Sequence, residues 1–190
     1  MNFKYRIFAI PFLFFIGACS VNVSQPTTQL KQNPNQITVD QNFDNTWKDM
    51  VEYISTSYFG IESFEKDSGL LTLSFGAENP GRYIDCGTIS GPNFKGQTTE
   101  VGNIGRGANH LLEGRMNVFL NSNSPNVTTV RVTARYVYTL NDGRFEQVWA
   151  FNTNTSDTKS LNAADGITCL SKQVAEQELL EGIRLMSSKN

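Results

Sequence analysis

Apolar and polar residues alternate along two stretches of the chain. Over residues 114–120 the apolar set is Met116, Val118 and Leu120; over 126–140 it is Val130, Val132 and Ala134, continued by Tyr136 and Tyr138. A period of two marks strands with one face on a core. The other face of the second stretch carries Thr129, Arg131, Thr133 and Arg135, so the expected sheet is antiparallel and wet on one side. The sequence NSNSPN connects the two strands. Asn141-Asp142-Gly143 supplies a further turn, and residues 146–152, with Val148, Trp149 and Phe151, predict another strand.

Elsewhere the spacing changes to that of a helix. Phe43, Trp47, Met50, Val51, Ile54 and Tyr58 form one stripe, with Asp44 placed to cap its start and Lys48, Asp49 and Glu52 on the wet side. A second stripe joins Ala175, Leu179, Ile183 and Met186, widened by Val174 and Leu180, with Lys172, Glu176, Gln177 and Arg184 on its flanks. Ile37 and Val39 predict a short strand before the first helix. Residues 61–65 and Leu71, Leu73 and Phe75 predict a hairpin turning at Lys66-Asp67-Ser68-Gly69. Residues 76–113 show no sustained period and read as a long loop, and 153–168 as a polar one. The order predicts an α+β fold: an antiparallel sheet of five to six strands with two helices on one face.

Charge and composition narrow the function classes. The net charge is −2, no basic run is present and basic residues do not interleave with aromatics, so nucleic acid is not an expected partner. Lys4 and Arg6 precede an apolar stretch at 7–16 that is too short to span a bilayer and reads as an export signal. It closes on Ile16-Gly17-Ala18-Cys19, which resembles the lipobox of bacterial lipoproteins. That resemblance implies removal of residues 1–18, acylation of Cys19, and, because Ser20 rather than an aspartate follows, an outer-membrane destination facing the periplasm. The expected partner is then the membrane, reached through the lipid on Cys19. Residues 19–36, rich in Ser, Thr, Asn and Gln with Pro26 and Pro34, read as a flexible tether to a single domain at 37–190. As a coil it would hold the domain ~20–25 Å from the bilayer.

With Cys19 lipidated, Cys86 and Cys169 remain as an even pair in an oxidising compartment, and a disulfide between them is the expected state. Cys169 is expected at the entrance of the second helix, capped by Thr168 or Ser171, where a lowered thiol pKa keeps a redox-active alternative open. No C-x-x-C pair exists and His110 is the one histidine, so neither zinc spacing nor a cofactor motif is expected. A nucleophile built from Cys86, His110 or Asp85 lacks a local signature. Gly102, Gly105 and Gly107 invite a phosphate-loop reading, but no Gly-Lys-Ser/Thr follows, and a hairpin tip is expected. Arg131 and Arg135 offer an anion site on the wet sheet face, alongside the reading as solvated strand residues.

Tyr83, Asp85, Cys86 and Gly87 together with Thr168, Cys169 and Ser171 resemble elements of proteobacterial outer-membrane lipoproteins of no established function. The element order looks like the helix-grip modules of BamC-type assembly lipoproteins, in topology alone. The anchor, the tether and the missing catalytic set point to a non-enzymatic module contacting an envelope protein partner through its sheet face or long loop, with Arg131, Arg135, Tyr83 and Asp85 as the candidate binding residues. A small apolar-ligand binder is the alternative, and a thiol-dependent enzyme is a third reading.

Overall fold

The computed structural model describes residues 22–30, 35–91, 99–101, 109–141, 143, 146–160 and 166–189. Residues 1–18, read as an export signal, Cys19 and the glycine-rich residues 102–107 lie outside this set. Twelve strands and two helices are present: β1 (Asn22–Ser24), β2 (Asn35–Val39), α1 (Phe43–Ser55), β3 (Gly60–Glu65), β4 (Leu70–Ala77), β5 (Ile84–Asp85), β6 (Thr88–Ser90), β7 (Thr99–Glu100), β8 (Asn109–Ser124), β9 (Val127–Asn141), β10 (Glu146–Asn152), β11 (Ser156–Lys159), β12 (Ile167–Ser171) and α2 (Val174–Ser187). The fold is α+β, as the two periods predict.

The main sheet has six antiparallel strands. Its order is β10-β9-β8-β4-β3, and β2 also pairs with β9. Along one edge of β9 runs the whole of β8; the other edge is shared, β2 taking Thr128 to Val132 and β10 taking Arg135 to Asn141. The alternation reads directly onto this sheet. Leu71, Leu73, Phe75, Met116, Val118, Val130, Val132, Tyr136 and Tyr138 are all buried on the inner face, against Trp47, Met50 and Ile54 of α1 and Ala175, Leu179 and Ile183 of α2. Burying side chains of this size stabilises the fold by ~1.5–3 kcal/mol each.

Two close approaches need glycine. A Cβ on Gly182 would meet the Tyr53 ring at 2.0 Å, so α1 and α2 can pack this closely only with glycine there. On the sheet, Phe75 lies across Gly114, where a Cβ would sit 2.1 Å from its ring.

The helix starts differ from expectation. Asn42, not Asp44, caps α1, its Oδ1 accepting from the Asn45 amide at 2.9 Å. Asp49 is buried despite its polarity. Cys169 lies within β12 rather than at a helix entrance, and neither Thr168 nor Ser171 is the N-cap of α2. The chain turns from β12 into α2 through Gln173, at φ 60°, whose amide donates to Ser171 Oγ at 2.8 Å. The buried Gln173 side chain donates from Nε2 to the Thr153 carbonyl at 3.2 Å.

Two three-stranded sheets, β1-β6-β7 and β11-β12-β5, flank the main one. They are formed from segments expected to be loop or tether. Residues 153–168 contribute β11 and part of β12, and the tether contributes β1, which pairs antiparallel with β6 through Asn22↔Ser90, Val23↔Ile89 and Ser24↔Thr88. No helix among the described residues is long and apolar enough to cross a membrane.

Candidate functional site

The segment Arg82 to Gly87 is where the chain concentrates its polar and sulfur chemistry. Cys86 and Cys169 are joined, Sγ to Sγ 1.98 Å, across 83 residues of sequence. Both are buried. The bond ties the β5–β6 connection to β12, and β12 in turn pairs with β5 through Leu170↔Asp85 and Ser171↔Ile84. A cross-link of this span stabilises chiefly by restricting the unfolded chain.

Asp85 holds the N-terminal segment. Its Oδ2 accepts from the amides of Thr27 at 3.1 Å and Thr28 at 2.9 Å, while Oδ1 accepts from the Gly87 amide at 2.9 Å. Burial works against its ionisation, but the Gly87 and Thr28 amides and the nearby Lys172 cation outweigh that and hold the carboxyl below the ordinary aspartate value. Gly87 has φ +72°, a left-handed conformation, and a Cβ there would lie 1.9 Å from the Ser24 carbonyl.

Tyr83 is buried. Its hydroxyl donates to Tyr58 Oη at 3.4 Å, and its ring packs 6.1 Å from that of Phe75 while the Arg82 guanidinium stacks 5.3 Å above it. Glu178 of α2 is the hub beside it, accepting from Tyr58 Oη at 2.6 Å and from Arg82 Nη2. Burial first, then the hydrogen bonds to Glu178 and Tyr83, push the Tyr58 hydroxyl far above its ordinary pKa. Lys172 closes this corner by donating to the Gly81 carbonyl at 2.6 Å. Tyr83, Asp85 and Cys86 are thus brought together as one junction between the N-terminal segment, the small sheets and α2.

Arg131 and Arg135 do not converge. Four strand residues apart, their side chains leave the outer sheet face at points separated by ~13 Å. Arg131 lies over the Phe119 ring at 5.8 Å, beside Gln36, Asn121 and Thr129 in a hollow of about 280 Å³. Arg135 instead borders an open hollow of about 900 Å³ with Glu62, Ser74, Glu113, Arg115 and Val137. Arg135 sits directly across from Arg115, which is paired with Glu62 at 2.7 Å.

A buried network escaped sequence reasoning. Glu176, expected on a flank of the α2 stripe, is 0 % exposed. Its Oε2 accepts from Tyr136 Oη and its Oε1 from Thr153 Oγ1 at 2.9 Å. Burial and then the carboxylate beside it push the Tyr136 hydroxyl far upward, so it stays a donor. Thr153 Oγ1 also accepts from the Ala134 amide at 2.6 Å, and the Thr153 amide donates to the Ala134 carbonyl at 2.8 Å. The signal for Glu176 was its place beside Ala175 on a helix face wide enough to include Leu179, Leu180 and Ile183.

His110 faces inward near the end of β8, its Nδ1 2.8 Å from Tyr138 Oη, and burial raises the Tyr138 pKa well out of the working range. Tyr138 Oη donates to the Val101 carbonyl at 3.3 Å and the Val101 amide to the Gly87 carbonyl at 3.0 Å, so His110 reaches the junction through Tyr138 and Val101. Among the described residues no three His, Cys, Asp or Glu are placed to hold a metal ion. The junction can therefore clamp chain segments to one another; its sulfurs are joined and its carboxylate is occupied by amides. No family model, no curated protein and no solved structure matches this chain.

Proposed function

We propose that the protein is a lipid-anchored lipoprotein of the outer membrane, facing the periplasm, that acts as a non-enzymatic module contacting an envelope protein partner. The terminal Ile16-Gly17-Ala18-Cys19 supports the anchor. The observation carrying the contact role is the side of the main sheet that no helix among the described residues covers. Both helices lie on the other side, and β3 forms a free edge whose six residues are all exposed, with Ile61 at 45 % and Phe64 at 65 %. Exposed apolar side chains along a sheet edge suit docking of a protein segment, which can add its own backbone hydrogen bonds.

The interior speaks against the apolar-ligand alternative. Among the described residues Met50, Ile54 and Tyr136 are buried between the helices and the sheet, where a helix-grip fold would enclose a ligand, which favours the contact reading.

A photo-crosslinker at Phe64 in intact envelopes tests the proposal. It is expected to trap one protein in stoichiometric yield, with Phe64→Glu abolishing recovery of that protein from detergent-solubilised membranes. Recovery of no stoichiometric partner overturns the contact role, and an unmodified Cys19 overturns the anchor.

A further inference from the structure

The N-terminal segment is built into the domain by independent contacts. β1 pairs with β6, Val23 packs against the core, the Thr27 and Thr28 amides bond to Asp85, and Gln25 Nε2 donates to the Gly166 carbonyl at 3.3 Å. Gly87 lacks the Cβ that would collide with Ser24. Cys86, between Asp85 and Gly87, is fixed to β12 by its disulfide. A segment used only as a spacer needs none of these.

We infer that residues 22–28 are a fixed stem that seats the domain directly on the bilayer by its β1–β6 end. The inference rests on the lipid-anchor reading above. Cys19 is three residues from Asn22, a reach of ~11 Å even when fully extended. The lipid surface is therefore within reach of Asn22 and its partner Ser90, at about half the distance a free tether would allow. Orientation follows as well. The Val101 amide donates to the Gly87 carbonyl at 3.0 Å and Tyr138 Oη donates to the Val101 carbonyl at 3.3 Å, which puts the small sheet beside the open end of the β8–β9 hairpin. The hairpin turn at Pro125 and Asn126 is a dozen strand residues away from Tyr138, ~40 Å along β9. The stem end faces lipid and the turn points into the periplasm.

The test uses the full lipidated chain in phosphatidylethanolamine/phosphatidylglycerol vesicles carrying headgroup spin labels. A fluorophore is attached at Ser90→Cys or at Asn126→Cys; the buried disulfide leaves the introduced thiol as the reactive one. The expected result is strong quenching at position 90 and little at 126. Asp85→Ala should raise hydrogen exchange at the Thr27 and Thr28 amides by about tenfold or more, since hydrogen bonds to a charged group are lost, while the β1–β6 pairing keeps position 90 the more strongly quenched. Unchanged exchange in β8 and β9 of the same variant shows that the domain remains folded. Equal quenching at both positions, or no change in Thr27 and Thr28 exchange, overturns the stem. Mass spectrometry of Cys19 on the same sample separates this from failure of the anchor: an unacylated Cys19 removes the lipid reading, and the stem with it, whatever the probes report.

Discussion

Along β8 and β9 the register continues through fifteen residue pairs with one irregularity, and almost every inward residue is fully buried. Beside them, β5, β6 and β7 contribute two, three and two residues. The long hairpin is held by apolar area spread over many buried side chains. The short strands are held at points: one disulfide, one carboxylate, one glycine and one lysine. The difference teaches that damage to the core is felt by the whole fold at once, whereas damage at the rim is felt first where the point contact was.

Trp149→Ala attacks the distributed side. Trp149 is fully buried, stacks on Tyr138 at 5.4 Å and donates from its indole to the Ile167 carbonyl at 3.0 Å. Its truncation should cost ~3–5 kcal/mol, read as a lower midpoint in denaturant with a single cooperative transition. Cys86→Ser attacks the rim. A loss of ~2–4 kcal/mol is expected, with hydrogen exchange rising first in β5, β6 and β12. A uniform rise across β8 and β9 instead would erase the distinction between the regions.

The smallest effect is a matter of pH. Because the folded pKa of Asp85 is lowered, its contribution is complete above the ordinary aspartate value and is lost as pH falls through the depressed folded value. The groups facing it are the Lys172 cation and the amides of Thr27, Thr28 and Gly87. In an NMR titration the Asp85 carboxyl should titrate below the ordinary aspartate range while those three amide shifts follow it. Asp85→Asn should abolish the acid transition at the amides; its persistence would assign the transition to another group.

Legibility divides along the same line. The alternation of Met116 to Leu120 and Val130 to Tyr138, and the stripes of both helices, were readable because large buried faces require a period. Strands of two or three residues carry no period, so β5 to β7 read as loop. The β12 residues Ile167, Cys169, Leu170 and Ser171 are buried as a near-continuous run, and such a run cannot be told from the start of a helix by spacing alone. Residues 22–28 are polar and read as tether because composition reports side chains, whereas the Asp85 contacts use the backbone of Thr27 and Thr28. Cysteine parity did identify Cys86 and Cys169 as partners, and the structure joins them. Asp49 and Glu176 were misplaced because charge was taken as exposure, while a buried carboxylate needs only donors.

Thr153 occupies the gap on the β9 edge between the stretches claimed by β2 and β10, bonding to both the amide and the carbonyl of Ala134 and reaching Glu176 with its hydroxyl. It acts as a key cut to one notch. If β9 slid by a single residue, Ala134 would leave that notch, Tyr136 would turn to the other face and the carboxylate of α2 would lose both donors at once, so the seating of the helix reads out the alignment of the strands beneath it.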